Sequence, residues 1–231
     1  AAVSARGPPR VSAIHPAPVC CAVHFRRAHA ATSDRSDFDQ ELLILFDAYV
    51  HGTLDRRGFL DRAQKFAKAG LGAAGLLAAL SPDFARGQQV PANDARLRTG
   101  RVQIDSPLGH GTLKGYLCRP GSAPAGARLP SVLVVHENRG LNPHIEDIAR
   151  RLALDGFMAF APDALTPLGG YPGDEDKARE AFAKLDPRKT GEDFVAAAQW
   201  LGARTDSNGR LGVVGFCFGG GIAHQLSIRL P

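Results

Sequence analysis

The chain has 231 residues, 44% hydrophobic and 22% charged, enough for one sizeable core and short for two. The formal charge is +5, but much of the excess arginine lies in the first hundred residues without an aromatic-interleaved basic stripe, which argues against nucleic acid as a partner. Glycine and proline are frequent but not periodic, so nothing collagen-like follows, and the cysteines at 20, 21, 118 and 217 have neither disulfide nor zinc spacing.

Residues 1–36 are rich in Ala, Arg, Pro and Ser and show no sustained period. They fit a disordered extension or a misassigned start of the coding region, since the first residue is not Met. His15, His24 and His29 fall here at irregular spacing unsuited to a metal.

Residues 37–97 read as a helical leader and linker. Leu42, Leu45, Phe46 and Tyr49 share one helical face, with Asp37, Asp39 and Glu41 near its start. Asp55–Arg56–Arg57–Gly58–Phe59–Leu60 follows, then a mildly charged linker to Lys68 and an apolar Gly/Ala-rich run, Ala69 to Leu80. An Arg pair ahead of such a run resembles a twin-arginine export signal, which would send the protein to the periplasm. The run is too short for a stable membrane span, and Ala85–Arg86–Gly87 is a poor cleavage site. The competing reading is a pair of amphipathic helices in a cytoplasmic protein. Residues 81–97 read as a polar linker.

From residue 98 the pattern becomes that of a partial α/β domain reaching residue 231. Arg101–Asp105 and Thr112–Cys118 form an expected hairpin about a turn at Ser106–Gly111. Cys118, at its end, reads as packing. Ser131–Val135 is an uninterrupted apolar strand, as a central parallel strand should be. Asn142–Pro143 gives an N-cap and first helical residue for a helix with Ile145, Ile148, Ala149 and Leu152 inward. Phe157–Ala161 is the next strand, and Ala164–Asp174 a long Gly/Pro loop containing Tyr171. Glu175–Lys184 reads as a charged surface helix. Thr190 and Asp193 read as an approximate capping box for the next helix, whose buried face is Phe194, Ala197, Ala198 and Leu201. The alternation predicts βαβ units and an α/β fold with a mostly parallel sheet.

Two stretches carry chemistry. Leu211–Val214 is a short strand after the turn-forming Asp206–Ser207–Asn208–Gly209, and it leads into Gly215-x-Cys217-x-Gly219–Gly220. A strand entering a sharp glycine-flanked turn and leaving as a helix matches the nucleophile elbow of α/β-hydrolases, with Cys where Ser is commoner. A thiol at a helix N-terminus is biased toward thiolate, and the backbone N–H of Phe218 is free to face an oxyanion. The bland alternative is a buried cysteine in a sheet–helix contact. The second stretch is His136–Glu137–Asn138–Arg139–Gly140, directly after the central strand and on the same sheet edge. A zinc site fails here, because no second His follows at helical spacing. Glu137 can hold or activate the thiol, and a backbone N–H of this loop can supply a second oxyanion donor.

With these pieces the sequence resembles the dienelactone hydrolase family of the α/β-hydrolase superfamily. The matching residues are Val134–Val135–His136–Glu137–Asn138–Arg139–Gly140, the helix with Asp147 and Ala149, Ala161–Pro162–Asp163, and Gly215–Phe216–Cys217–Phe218–Gly219–Gly220. The segment from Phe38 to about Gln89 also resembles a leader carried by some carboxymethylenebutenolidase-like members. The resemblance implies hydrolysis of a small lactone or ester without a cofactor or metal. It assigns Cys217 as nucleophile, Glu137 as the carboxylate pairing with the resting thiol, and the N–H groups of Phe218 and Asn138 as the oxyanion hole.

In such enzymes the triad acid and His follow the nucleophile. Phe218 to Pro231 contain His224 but neither Asp nor Glu, and His224 lies seven residues beyond Cys217 on the expected helix, where it should point away from the elbow. The expectation is therefore a domain without its last strands and helices, impaired as a catalyst. The alternative is a non-catalytic fragment or pseudoenzyme with a structural role. A redox thiol protein is disfavoured because no resolving Cys is suitably placed.

Overall fold

The computed structural model describes residues 38–67, 71–81 and 87–230. The expected N-terminal extension, with Cys20, Cys21, His15, His24 and His29, lies outside these residues, as do Ala85 and Arg86.

The leader folds as helices α1 (Gln40–Val50), α2 (Arg56–Ala63) and α3 (Ala73–Leu80). Asp39 caps α1 by accepting from the Glu41 N–H, and Asp55 caps α2 by accepting from the Gly58 N–H. The Arg56–Arg57 pair is thus the first turn of a helix. The stretch expected as a charged linker to Lys68 is instead helical through Phe66, because Phe59 and Ala63 recur at helical spacing and are both fully buried. They join Leu42, Tyr49, Leu76 and Leu77 in an apolar cluster of the leader's own. Among the described residues no helix is long and apolar enough to cross a membrane.

The remainder is a five-stranded sheet in the order β1-β2-β4-β3-β5. Strands β1 (Leu97–Ser106) and β2 (Gly111–Pro120) are the antiparallel hairpin. Strand β2 runs antiparallel to β4 (Met158–Asp163), while β3 (Leu129–Val135) lies parallel between β4 and β5 (Ser207–Gly215). Residues expected as the turn before β5 are partly drawn into it. The strand begins at Ser207, whose hydroxyl accepts from that of Ser131 across the pair, and an irregularity at Leu129/Ser131 absorbs the extra length.

Helix α4 (Pro143–Leu154) covers one face, with Ile145, Ile148, Ala149 and Leu152 inward as the sequence predicted. Helices α6 (Pro187–Ala203) and α7 (Phe218–Arg229) cover the other with Phe194, Leu201, Ile222 and Leu226. The short helix α5 (Glu175–Phe182) stands at the carboxyl ends of the strands. The expected capping box at Thr190 and Asp193 is absent, since both are interior to α6. Asp186–Pro187 starts that helix, the Asp186 carboxylate accepting from the N–H groups of Arg188 and Lys189. Asp193 is instead buried and anchors the hairpin turn, taking the His110 N–H at 3.0 Å and its Nδ1 at 2.6 Å.

The polar linker is fastened at its end. The carboxylate of Asp147 on α4 accepts from the N–H groups of Gln89 and Val90, and Arg150 Nε donates to the Val90 carbonyl. These buried charges are balanced by one another and by the linker backbone.

Candidate active site

Cys217 joins β5 to α7 with φ 52° and ψ −112°, and among the described residues it alone has positive φ without being glycine. A non-glycine residue rarely holds this conformation, and its surroundings must enforce it. The flanking glycines show how. A Cβ on Gly215 would stand 1.9 Å from the Gly219 carbonyl oxygen. A Cβ on Gly219 would meet the backbone oxygens of Val135 and His136 at 2.4 and 2.8 Å. The first turn of α7 is therefore pressed against the end of β3 without a side chain between them.

This contact brings the second stretch to the first. Val135 pairs with Gly215 in the parallel register, and the Phe216 N–H donates to the Val135 carbonyl at 3.2 Å. Two residues on from that pair the chain reaches Glu137 on one side and Cys217 on the other. Cys217 is exposed and Glu137 half-buried. Phe218 is the first residue of α7, a position whose N–H has no intrahelical acceptor.

His136 is not a base for this site. It is completely buried, and its ring lies edge-on to Phe182 and Phe194. The Ala164 N–H donates to its Nε2 at 3.1 Å, so that nitrogen carries no proton; its Nδ1–H donates to the Glu137 carbonyl. Burial holds its pKa below the usual histidine range despite the nearby Asp163 carboxylate. A neutral imidazole thus ties the end of β3 to the residue after β4.

Two carboxylates to which the sequence analysis gave no role at the site organise the loops of this edge. Asp163, at the end of β4, accepts from the N–H groups of Leu141, Leu165 and Tyr171 at 3.0–3.1 Å. Gly140 lies so close that a Cβ there would come within 2.8 Å of Asp163 Oδ1, and its φ is +73°. Glu175, expected on a merely charged surface helix, accepts from the Tyr171 hydroxyl at 2.7 Å and from Asn142 Nδ2 at 3.3 Å, and pairs with Arg139 at 3.0 Å. Burial, reinforced by Glu175, raises the Tyr171 pKa, so the phenol stays protonated. The Ala161–Pro162–Asp163 motif was visible in sequence; that its carboxylate gathers three loop amides was not. The ring of His144, on α4, lies 6.4 Å from that of Phe216, and burial lowers its pKa.

The remaining predicted residues fall as follows. Cys118 is fully buried in the hairpin, and burial pushes its thiol pKa up to about 11, consistent with packing. His224 is exposed on α7. A surface groove of about 800 Å³ runs past Arg101, Lys114, Leu141, Asp163 and Tyr171; Cys217 and Glu137 do not line it.

The sequence pattern of the dienelactone hydrolase family matches residues 113–231, and a second pattern, YqhI-like, matches residues 31–68. A candidate hydrolase fragment, YghX of Escherichia coli K12, is 48% identical over 47% of this chain and 91% of its own length. A candidate carboxymethylenebutenolidase of Methylorubrum extorquens is 33% identical over 69% of this chain and 54% of its own. The crystal structure of a candidate dienelactone hydrolase from Klebsiella pneumoniae is 30% identical, covering 53% of this chain and 52% of that one, with a TM-score of 0.43. The chain thus spans about half the length of these last two proteins.

Proposed function

Because the chain belongs to the dienelactone hydrolase family of α/β-hydrolase-fold enzymes, we propose that this sheet edge performs acyl transfer from a small lactone or carboxylic ester through Cys217. The observation that carries the reading is the left-handed backbone of Cys217 at a strand-to-helix junction closed by two glycines. That geometry lifts the sulfur off the sheet and directs the first N–H of α7 beside it.

In this reading Glu137 takes up the thiol proton when substrate arrives, and the thiolate attacks the acyl carbon. The oxyanion accepts from the N–H groups of Phe218 and Asn138. The carbon–oxygen bond of the lactone or ester then breaks, the leaving oxygen regains a proton, and a thioester remains on Cys217. Water cleaves the thioester in a second step that needs a general base. Among the described residues His136 is committed to two buried hydrogen bonds and His224 is exposed on α7, so neither is placed to serve. We propose that deacylation is slower than acylation.

Stopped-flow release of p-nitrophenol from p-nitrophenyl acetate tests this. The expected result is a burst approaching one equivalent, absent in Cys217→Ala, followed by slow turnover. Absence of the burst in folded protein would refute the acyl-transfer reading in favour of a non-catalytic role.

A further inference from the structure

The twin-arginine-like leader is fastened to the catalytic edge through one cluster on α5. The Tyr49 hydroxyl, near the end of α1, donates to the Asp176 carboxylate, and Arg56 Nη1 pairs with the same carboxylate at 3.1 Å. Arg179, one turn along α5, pairs with Asp176 at 3.4 Å and donates from Nη1 to the Tyr49 carbonyl. Its guanidinium lies over the Tyr49 ring, 4.2 Å from the centroid. A lone exposed ion pair would contribute little. Here the Arg179 side chain is only 11% exposed and caps the carbonyl end of a helix while stacking on its last aromatic residue.

One residue beyond Tyr49, the Val50 carbonyl accepts from Asn138 Nδ2 at 3.3 Å. The Asn138 Oδ1 accepts from Arg139 Nη1 at 3.0 Å, and Arg139 pairs with Glu175 on α5. The Asn138 side chain is thus gripped on one side by α1 and on the other through Arg139 by α5. The spacing between α1 and α5 is set by the Tyr49–Asp176–Arg179 cluster. In the proposed function the backbone N–H of Asn138 serves the elbow, and its side chain is what the two helices hold.

We propose that α1 and α2 form a built-in brace for the loop after β3, with Arg179 and Asp176 as positioning residues that hold the Asn138 peptide in place. The inference rests on the reading of that peptide as an oxyanion donor, although the brace is a separate physical claim. It also gives Arg56 a role in the folded chain.

The test compares the full chain with Arg179→Met, Arg179→Lys, Asp176→Asn and Tyr49→Phe, the last removing a single hydroxyl should the others unfold. Arg179→Met and Asp176→Asn are expected to raise amide hydrogen exchange in residues 137–142 about tenfold, leaving β3 and β5 protected. The acylation burst slows about tenfold at unchanged amplitude. Arg179→Lys, which keeps the cation over the ring but loses the fork, recovers part of both effects, and Tyr49→Phe gives a smaller shift in the same direction. Exchange in 137–142 unaltered by Arg179→Met and Asp176→Asn, with the leader's own exchange raised, overturns the brace. Absence of a burst in every form refutes the acyl-transfer reading, while the exchange data still decide the brace.

Discussion

Gly219→Ala separates the needs of the site from those of the helix. Gly219 is the second residue of α7, where alanine is the better helix former by about 1 kcal/mol. Its Cβ would lie 2.4 Å from the Val135 carbonyl oxygen and 2.8 Å from that of His136. Both are backbone atoms at the end of a central strand, so neither can swing aside. Restoring an ordinary contact of about 3.4 Å requires α7 to lift from β3 by about 1 Å. Overpacking of this kind costs about 1–3 kcal/mol, so the net change in stability is small, about 0–2 kcal/mol of loss. The rate should suffer more, because a misplacement of about 1 Å between nucleophile and oxyanion donors costs about 100-fold. The assay is the burst rate with p-nitrophenyl acetate beside urea unfolding. Gly221→Ala is the control: nothing lies within 4 Å of its Cβ, so it should stabilise the helix slightly and leave the burst alone. A Gly219→Ala protein that acylates at the wild-type rate would refute the argument that direct backbone contact between α7 and β3 sets the site.

Two further outcomes are expected. Brief iodoacetamide treatment at pH 8 with peptide-resolved mass spectrometry should label exposed Cys217 well before Cys118, whose buried thiol has a pKa of about 11; equal labelling would count against a primed, exposed nucleophile. His136 is buried neutral, burial holding its pKa below the ordinary histidine value of about 6.5. The unfolded chain therefore binds a proton that the folded chain refuses. Stability should fall as pH drops below about 6.5, by up to about 1.4 kcal/mol per pH unit from this residue, until the folded pKa is reached. His136→Asn should flatten the slope of unfolding free energy against pH in that window; an unchanged slope would show that His136 is not buried neutral.

The elements were legible because the chain states them locally. The apolar run of β3, the Asn142–Pro143 start of α4 and the strand–glycine–cysteine junction are patterns of neighbouring residues, and each stands where it was read. Misreadings came where the deciding partner is remote in sequence. Thr190 and Asp193 resemble a cap, but Asp186–Pro187 already starts α6, leaving Asp193 to bind His110, 83 residues away. Residues 61–66 look like a charged linker until Phe59 and Ala63 are seen packed against α1 and α3.

For the candidate site the division is similar. Residue type and spacing alone marked Cys217 and Glu137 and set both at strand ends, because a thiol between glycines and a carboxylate after an apolar strand are local statements. Sequence could not show that Asp163 gathers three loop amides, that Glu175 and Arg139 join α5 to the loop after β3, or that from the leader Val50 reaches that loop and Tyr49 reaches α5. Apart from the Asp163–Leu165 bond, which spans two residues, these bonds join residues 8 to 127 apart in the chain, and only the fold brings their donors to their acceptors. What sequence determined is which residues are candidates for the chemistry. Tertiary structure decided what holds them, because a hydrogen bond needs both partners within about 3 Å and no local pattern sets that distance.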